Sequence, residues 1–567
     1  MSALPPALPP ALPPTAARAS RWAPPITLPP EAVIGLLCLY WSLTANRSFL
    51  VGARNAMEGA SLGLMLVLGL MLALLHFVLV APLVTRYGGR LVLAVMVLVA
   101  AVSSHFVQSV GAVIDPDMLR NVLRTHWTES RELLNLSMLT HVLVQAVPAW
   151  WFLSQVRMTP PSGPWWRSPL RRSGTWLLAV LAFLVLLFSV YQPVSSLMRN
   201  HKALRYQILP AAPLWSTPRS LFNEAKEARR VREPIGQDAQ PGPSWQAQTR
   251  PRVLVLVVGE TVRSANWGPH TSLDGSARNT APLTGALPEL ALLPVVQSCG
   301  THTESSLPCM FAPIGRRDYD EDRIRRQLSL MHVLHQAGVG VRWRDNQSGC
   351  QGVCEGLPTE HTSELPLDPA LCPKGQCRDE ALLHGLAQDL AQAQGTQVWV
   401  LHMLGNHGPA YHRRVPPGAT PYQPYCAHDD LGRCSRVDIV NAYDNALRHT
   451  DALLAQLWQT MKSASNVDTA LIFIPDHGES LGERGMYLHG LPYAVAPREQ
   501  TGVPMLLGLS PGFAQARGWS QDCLRSLPSK TTAPQHDHLF HTVLTLADVR
   551  TQLYDPQWDL MRPCQNP

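Results

Sequence analysis

Residues 253 to 261 read VLVLVVGET, an unbroken apolar run rich in valine that ends on a glycine, a carboxylate and a hydroxyl. Lacking any alternation of polar and apolar positions, such a run fits a strand buried on both faces, as in the centre of a parallel sheet. Two later segments repeat the pattern: QVWVLHMLG at 397 to 405 is followed by Asn406 and His407, and TALIFIP at 469 to 475 by Asp476 and His477. Between them Val440, Tyr443, Leu447, Leu454, Trp458 and Met461 recur at helical spacing. They predict a helix over about 436 to 462, which Ser435 and Asp438 can open as a capping box. Strand, helix, strand in this order specifies an α/β sandwich. Ligands of open α/β sheets bind beyond the carboxyl ends of the strands, so the polar residues after each run are expected to converge on one edge.

Glu260, Asp476 and His477 supply two carboxylates and an imidazole, a donor set suited to zinc, and three protein ligands leave one position open. Singly, each has a plain structural explanation: either carboxylate could cap a helix, and the histidine could pack in the core. Their common placement at the ends of buried strands favours a metal. A second stretch, SCGTHTESSLPCMF at 298 to 311, sets Thr301, Thr303, Ser305 and Ser306 between Cys299 and Cys309. Hydroxyls are poor nucleophiles at neutral pH unless a metal or base activates them, so this is a candidate nucleophile loop. A bridge between its cysteines would hold it rigid, where a misplacement of about 1 Å costs on the order of 100-fold in rate. A helix beginning after Thr303 would also turn free N–H groups towards an anionic phosphate. The same stretch reads equally as a stapled loop whose hydroxyls satisfy turns.

Outside this region the chain changes character, and at 567 residues it exceeds one compact core. Residues 1 to 30, with LPPALPPALPP, cannot bury apolar surface and are expected to form a disordered cytoplasmic tail, a ligand for a proline-binding domain being the weaker alternative. Apolar stretches near 32 to 50, 61 to 83, 91 to 110, 136 to 154 and 174 to 192 each approach the ~20 residues that a bilayer-spanning helix needs. The second, within SLGLMLVLGLMLALLHFVLVAPLV, is apolar on every face, which argues against a soluble helix; Asn46 and Arg47 fall near the end of the first. Arg18, Arg21, Arg86, Arg90, Arg157, Arg167, Arg171 and Arg172 mark alternate connections as cytoplasmic, a bias that Arg54, Arg120, Arg124 and Arg131 dilute. Five crossings from a cytoplasmic N-terminus leave everything after residue 193 outside the cytoplasm.

The cysteines agree with that placement. Of eleven, only Cys38 lies in the membrane half; Cys299 and Cys309, Cys350 and Cys354, Cys372 and Cys377, and Cys426 and Cys434 are close sequential pairs, and Cys523 with Cys564 would tie down the C-terminus. Local bridges in an oxidising compartment are the economical reading, and a zinc ribbon lacks its double C-x-x-C spacing. The expected division is therefore a tail over 1 to 30, a five-helix transmembrane domain over 31 to 193, a polar Pro-rich linker over 194 to 250 and a catalytic domain over 251 to 567. A net charge of +6 suits a protein facing anionic lipid, and no basic and aromatic pattern points to nucleic acid.

VVGETVRSANW, SCGTHTESSLPCMF, WRDNQSGCQGVC, GNHGPAY, YDNALRHTD, DHGESLGERGMYLHGLPYAVAPREQTGVPM and HDHLFHTVLTLADVRTQLYDP follow one another over about 253 to 564. In this order they resemble the signature blocks of the phosphoethanolamine transferases that modify lipid A, the colistin-resistance enzymes among them. The resemblance implies a five-helix transmembrane domain in the bacterial inner membrane, joined to a periplasmic α/β sandwich of alkaline phosphatase/sulfatase type. It implies Thr303 as nucleophile, Glu260, Thr303, Asp476 and His477 as zinc ligands, and His407 and His489 at the substrate phosphate or a second zinc. Asn121, Thr125 and Glu129 match residues implicated in binding the lipid donor, and their spacing of four puts them on one helical face, as it would for a merely solvated one. Two positions depart from the pattern: Gln347 stands where relatives commonly have Asn, and Gln351 where they commonly have Lys. Both are expected to bear on substrate preference and not on the metal.

The implied reaction takes phosphoethanolamine from phosphatidylethanolamine and gives it to lipid A or the lipopolysaccharide core, adding a cation that weakens binding of cationic peptides. A phosphoglycerol transferase is the nearest alternative on this scaffold. A sulfatase or phosphatase-like hydrolase is a further one, although neither Cys299 nor Cys309 opens the C-x-P-x-R sequence that matures a sulfatase nucleophile. A catalytically dead scaffold would have no reason to keep Glu260, Thr303, Asp476 and His477 together.

Overall fold

The valine-rich run forms the centre of the larger domain in the computed structural model, which describes residues 26–57, 60–85, 88–124, 127–158, 167–227 and 231–565. Seven strands, β1 (Arg252–Gly259), β2 (Leu290–Leu292), β3 (Gly340–Asp345), β4 (Thr359–His361), β5 (Thr396–His402), β6 (Asp468–Pro475) and β7 (Leu506–Leu509), lie in the order β4-β3-β5-β1-β6-β7-β2. β1 runs parallel to both neighbours, with Val258 opposite His402 of β5 and Gly259 opposite Pro475 of β6. This register brings the three carboxyl ends level. Beyond β6, β7 is antiparallel, and β2 is antiparallel to β7.

Every residue of β1 and β6 is buried because the sheet carries a core on each face. Leu254, Leu256 and Val258 point into one, with Phe311, Met331, Phe540 and Leu544; Val253, Val255 and Val257 point into the other, with Leu454 and Trp458. Those last two belong to the helix Arg436–Ser463, which opens with the expected capping box of Ser435 and Asp438. A strand covered on both sides needs no polar alternation, which accounts for the run that announced it.

The other half is built from α1 (Pro30–Leu43), α2 (Arg47–Ala56), α3 (Leu62–Val80), α4 (Gly89–Ser109), α5 (Pro116–Arg124), α6 (Trp127–Leu133), α7 (Leu136–Gln155), α8 (Arg167–Ser189), α9 (Tyr191–Asn200) and α10 (Ala211–Glu227). Four stretches, Leu62–Leu83, Gly89–Ser109, Leu136–Gln155 and Pro169–Ser189, are long and apolar enough to cross a membrane. The first expected span is instead two helices, α1 and α2, bent by 53° at the break between them. Asn46 sits in the break: its Nδ2 donates to the carbonyls of Trp41 (2.9 Å) and Leu209 (2.6 Å), and its Oδ1 accepts from the Leu209 amide (2.8 Å). A buried side-chain amide thus supplies the bonds that a continuous helix would have made.

Two further expectations are modified. Residues 1 to 25 of the Pro-rich tail lie outside the described residues, but Ile26–Leu28 forms a short parallel strand with Val156–Met158. The segment 194 to 250, expected to be a linker, folds in large part: α10 packs on α5, and Ser216 Oγ donates to the Ile114 carbonyl at 2.9 Å. Pro213, which reads as linker composition, falls in the first turn of α10, where no intrahelical bond is lost. All ten external cysteines pair as their sequence order suggests, and Cys38 is free and buried.

Candidate active site

Glu260 leaves β1 into a ring of donors. Its Oε1 accepts from Thr261 Oγ1 (2.6 Å), and its Oε2 accepts from Thr303 Oγ1 (3.1 Å) and Gln347 Nε2 (2.9 Å). Thr261 is held at φ +61°, a left-handed conformation that non-glycine residues adopt at a cost and that concentrates at functional sites. Gly405, at φ +53°, passes so close that an added Cβ would lie 2.5 Å from the Glu260 carbonyl oxygen, so only glycine fits. From the end of β6, Asp476 Oδ1 accepts from the amides of Thr261 (3.3 Å) and His477 (2.7 Å). His477 Nδ1 lies 2.9 Å from the Gly478 carbonyl, which can only accept, so Nε2 is the nitrogen available to ligate.

One donor atom from each of Glu260, Asp476 and His477 lies within 4.8 Å of the others. His477 Nε2 is 3.2 Å from Glu260 Oε1 and 3.4 Å from Asp476 Oδ2, close to the ~3.3 Å edge of a tetrahedron with bonds of about 2.0 Å. Asp476 Oδ2 and His477 Nε2 are buried with no hydrogen-bond partner, an arrangement costing about 1–3 kcal/mol per group unless a cation satisfies it. Burial and the charge of Glu260 push Asp476 up to about 7, and the two carboxylates outweigh burial to raise His477 to about 10. Burial would raise Glu260 as well, yet the charge of His477, 3.2 Å away, holds its carboxyl well below the usual range. Protons thus stand in for missing positive charge, and the residues present fit a divalent cation.

The hydroxyl loop resolves into unequal members. Ser305 Oγ donates to the His302 carbonyl (3.2 Å), Thr301 Oγ1 to that of Leu491 (2.6 Å) and Ser306 Oγ to that of Asp476. Thr303 alone is aimed at a carboxylate, from the first position of the helix Thr303–Met310. The Cys299–Cys309 bridge closes the loop beneath this helix, and a Cβ on Gly300 would lie 2.2 Å from Ser305 Oγ, so the turn tolerates no side chain there.

The His489 ring lies 4.5 Å from that of His477, tilted by 44°, and 5.2 Å from that of His407, edge to face. Burial, with the charge of His477, takes His489 down to about 3, and burial takes His407 down to about 4, so both are neutral at neutral pH. Sequence reasoning missed Glu479. Its Oε2 bonds His489 Nδ1 (2.8 Å), its Oε1 accepts from Tyr411 Oη (2.5 Å), and burial raises it to about 8. The signal was available, since Glu479 stands two residues beyond His477.

Gln347, expected to bear on substrate preference and not on the metal, instead touches the metal-type carboxylate directly, because its longer side chain reaches Glu260 Oε2 at 2.9 Å. Gln351 lies half-buried at φ +48° in the loop closed by Cys350 and Cys354. Asn121 is on α5, whose preceding residue Arg120 reaches the loop: Nε is 3.0 Å from Glu304 Oε1 and Nη2 is 2.7 Å from Glu321 Oε1. Arg325 Nη2 holds the same Glu304 oxygen at 3.0 Å, and Glu132 of α6 meets Arg414 at 2.7 Å. Thr125 and the side chain of Glu129 lie outside the described residues.

The sequence matches the family model described as Sulfatase over residues 252–549 and that described as Phosphoethanolamine transferase EptA/EptB over residues 71–224. It is 35% identical over 481 residues to phosphoethanolamine transferase EptA of Salmonella typhimurium, covering 84% of this chain and 86% of that protein. Against phosphatidylethanolamine transferase Mcr-1 of Escherichia coli it is 32% identical over 534 residues, covering 92% and 96%. The fold matches the solved structure of the integral membrane protein lipooligosaccharide phosphoethanolamine transferase A from Neisseria meningitidis with a TM-score of 0.88 at 31% identity, covering 96% of this chain and all (100%) of that one.

Proposed function

This chain belongs to the phosphoethanolamine transferases and transfers phosphoethanolamine, and on that premise we propose that Thr303 carries the group from phosphatidylethanolamine to lipid A or the lipopolysaccharide core. The observation that carries the reading is the 3.1 Å hydrogen bond from Thr303 to Glu260, made by the one hydroxyl of its loop not bound to a backbone carbonyl. Glu260, Thr303, Asp476 and His477 would hold a zinc ion. When bound, zinc supplies Lewis acidity that eases removal of the threonine proton.

In the first half-reaction the Thr303 Oγ1–phosphorus bond forms while the bond from phosphorus to the diacylglycerol oxygen breaks, and that oxygen leaves with a proton. In the second, a phosphate or sugar oxygen of the acceptor forms a bond to phosphorus while the Thr303 Oγ1–phosphorus bond breaks, and the threonine oxygen leaves with a proton. Gln347 steadies Glu260 through both. His407 and His489, kept neutral by burial, suit hydrogen bonding to phosphoryl oxygens or a second zinc, and Glu479 fixes the ring of His489 through Nδ1. Asn121, Thr125 and Glu129 are assigned to the donor headgroup, and Gln351 to substrate preference. In this reading the chain crosses the inner membrane five times and works in the periplasm through residues 251 to 567, after a tail over 1 to 30, a membrane domain over 31 to 193 and a connecting segment over 194 to 250. Five disulfides support an oxidising compartment. A sulfatase-like hydrolase is disfavoured by the bridge that consumes both Cys299 and Cys309.

Expression in a polymyxin-sensitive Gram-negative host, with mass analysis of lipid A and core, tests the reading. Phosphoethanolamine on lipid A that vanishes in Thr303→Ala is expected; unmodified lipid A with a modified core sugar selects the other acceptor, and neither modification defeats the proposal.

A further inference from the structure

A cavity of about 690 Å³ opens between the membrane helices and the catalytic domain, within the size range of small-molecule sites. Arg47 and Asn55 of α2 and Gln108 of α4 line one wall; Arg484, Met486 and Leu491 line the other. The second wall is the hairpin formed by Ser480–Glu483 and Met486–Leu488, with the loop after it. It is fastened to the membrane half by the Tyr487 amide, which donates to the Val110 carbonyl at 3.2 Å. It is fastened equally to the nucleophile loop: Thr301 Oγ1 donates to the Leu491 carbonyl at 2.6 Å, and the Gly490 amide donates to the Thr301 carbonyl at 2.9 Å. Leu491 of the cavity wall thus stands two residues from His489 and bonds to Thr301, two residues before Thr303.

Arg47 and Arg484 are exposed, and among the described residues neither makes an ion pair. Arg120 offers the contrast, since Glu304 and Glu321 neutralise it. Arg47 opens α2 just beyond the break and lines a cavity shared with the catalytic domain, so it lies on that domain's side, and the cytoplasmic bias of basic loops does not explain it. Two guanidinium groups from different halves of the molecule, lining one cavity without a counter-charge among the described residues, form a receptor for an anion, and arginine is the residue best suited to phosphate. Asn55 and Gln108 add amide donors, while Met486 and Leu491 offer apolar surface to the rest of an amphiphile.

We propose that this cavity seats a phosphate of the acceptor, a phosphorylated glycolipid, beside the loop bearing Thr303. The inference rests on the covalent reading above for the step it serves, but not for the binding itself. The donor phospholipid offers the same phosphate chemistry, so the test has two arms.

In the first, full-length Thr303→Ala protein in detergent is scored for retention of lipid A bearing its phosphates, alone and with Arg47→Glu or Arg484→Glu. Each reversal is expected to lower retention about tenfold, as loss of one charged hydrogen-bonded contact does, with Arg47→Lys and Arg484→Lys retaining most of it. Retention equal to the parent's in both reversals overturns the proposal. So does an equal loss with dephosphorylated lipid A, which lacks the group the arginines are assigned to hold. In the second arm, Thr303-intact protein in phosphatidylethanolamine vesicles is scored for phosphoethanolamine on Thr303 and then for its transfer after lipid A is added. The ratio of transfer to charging is expected to fall about tenfold in the reversals. Parallel loss of both steps assigns the cavity to the donor and overturns the proposal. A parent protein that never carries the group on Thr303 defeats the covalent reading instead, and the first arm still decides the cavity.

Discussion

At the edge of the sheet, Glu260, Asp476 and Glu479 are buried beside histidines, and among the described residues no arginine or lysine pairs with their carboxylates. Along the seam between the two halves, buried carboxylates are instead met by guanidinium groups, Glu304 by Arg120 and Arg325, and Glu132 by Arg414. Both regions remove charge from water at a cost, and they differ in what offsets it. These paired contacts are electrically complete and serve docking: they tie α5, with Asn121, to the residue after Thr303. The sheet edge is short of positive charge, and that shortage marks it as the place where a cation and then a phosphoryl group belong.

The largest effect is expected where the chemistry is assigned. Thr303→Ala leaves the carboxylates in place yet should reduce transfer by about 10⁴-fold or more, read as phosphoethanolamine on lipid A. Substantial residual transfer would break the distinction between reacting edge and docking seam. Next, Glu132→Ala strips Arg414 of its partner and should cost ~3–5 kcal/mol of stability, seen as a lower denaturation midpoint, while zinc content stays that of the parent. Loss of zinc in step with stability would merge the two regions into one.

The sheet edge should also respond to pH in a way that the seam does not. His477, raised to about 10 before metal enters, must surrender a proton when it ligates, so binding strengthens as pH rises. Zinc affinity measured against a competing chelator should increase about 100-fold between about pH 6 and 8 from His477 alone, and Asp476, raised to about 7, should add about a further tenfold, most of it in the lower part. A flat profile would mean that the charges there are balanced already. The smallest effect is expected from Gln347→Ala, which removes one bond to Glu260 and should weaken zinc binding about 10- to 100-fold without unfolding the domain.

What the sequence made legible were features with a local period or a chain-adjacent signature. β1, β5 and β6 announce themselves because double-sided burial forbids polar residues, and the helix Arg436–Ser463 because its apolar stripe and capping box lie within one segment. Glu260, Asp476 and His477 stand immediately after those strands, so finding the strands found them. β3 was not visible: its GVRWRD carries Arg342 and Arg344, whose charges are met by Glu360 and Asp389 from other elements. Nor was the break at Asn46, which depends on a backbone group 163 residues away. The choice of Thr303 among four hydroxyls belongs to the same class. Spacing does not distinguish it; the partners of Thr301 and Ser306, 190 and 170 residues distant, leave Thr303 as the hydroxyl aimed at a carboxylate, which is why it is the one proposed to react.

The Thr261 amide meets a carboxylate 215 residues further along the chain, and Gln347 reaches Glu260 across 87. A fragment or half-synthesised chain that lacks any of these segments cannot assemble such a centre, because closing those long loops is worthwhile only once the whole sheet is in place. Activity in this molecule is therefore an inspection stamp on completed folding: a damaged copy falls silent instead of running loose on the lipids around it.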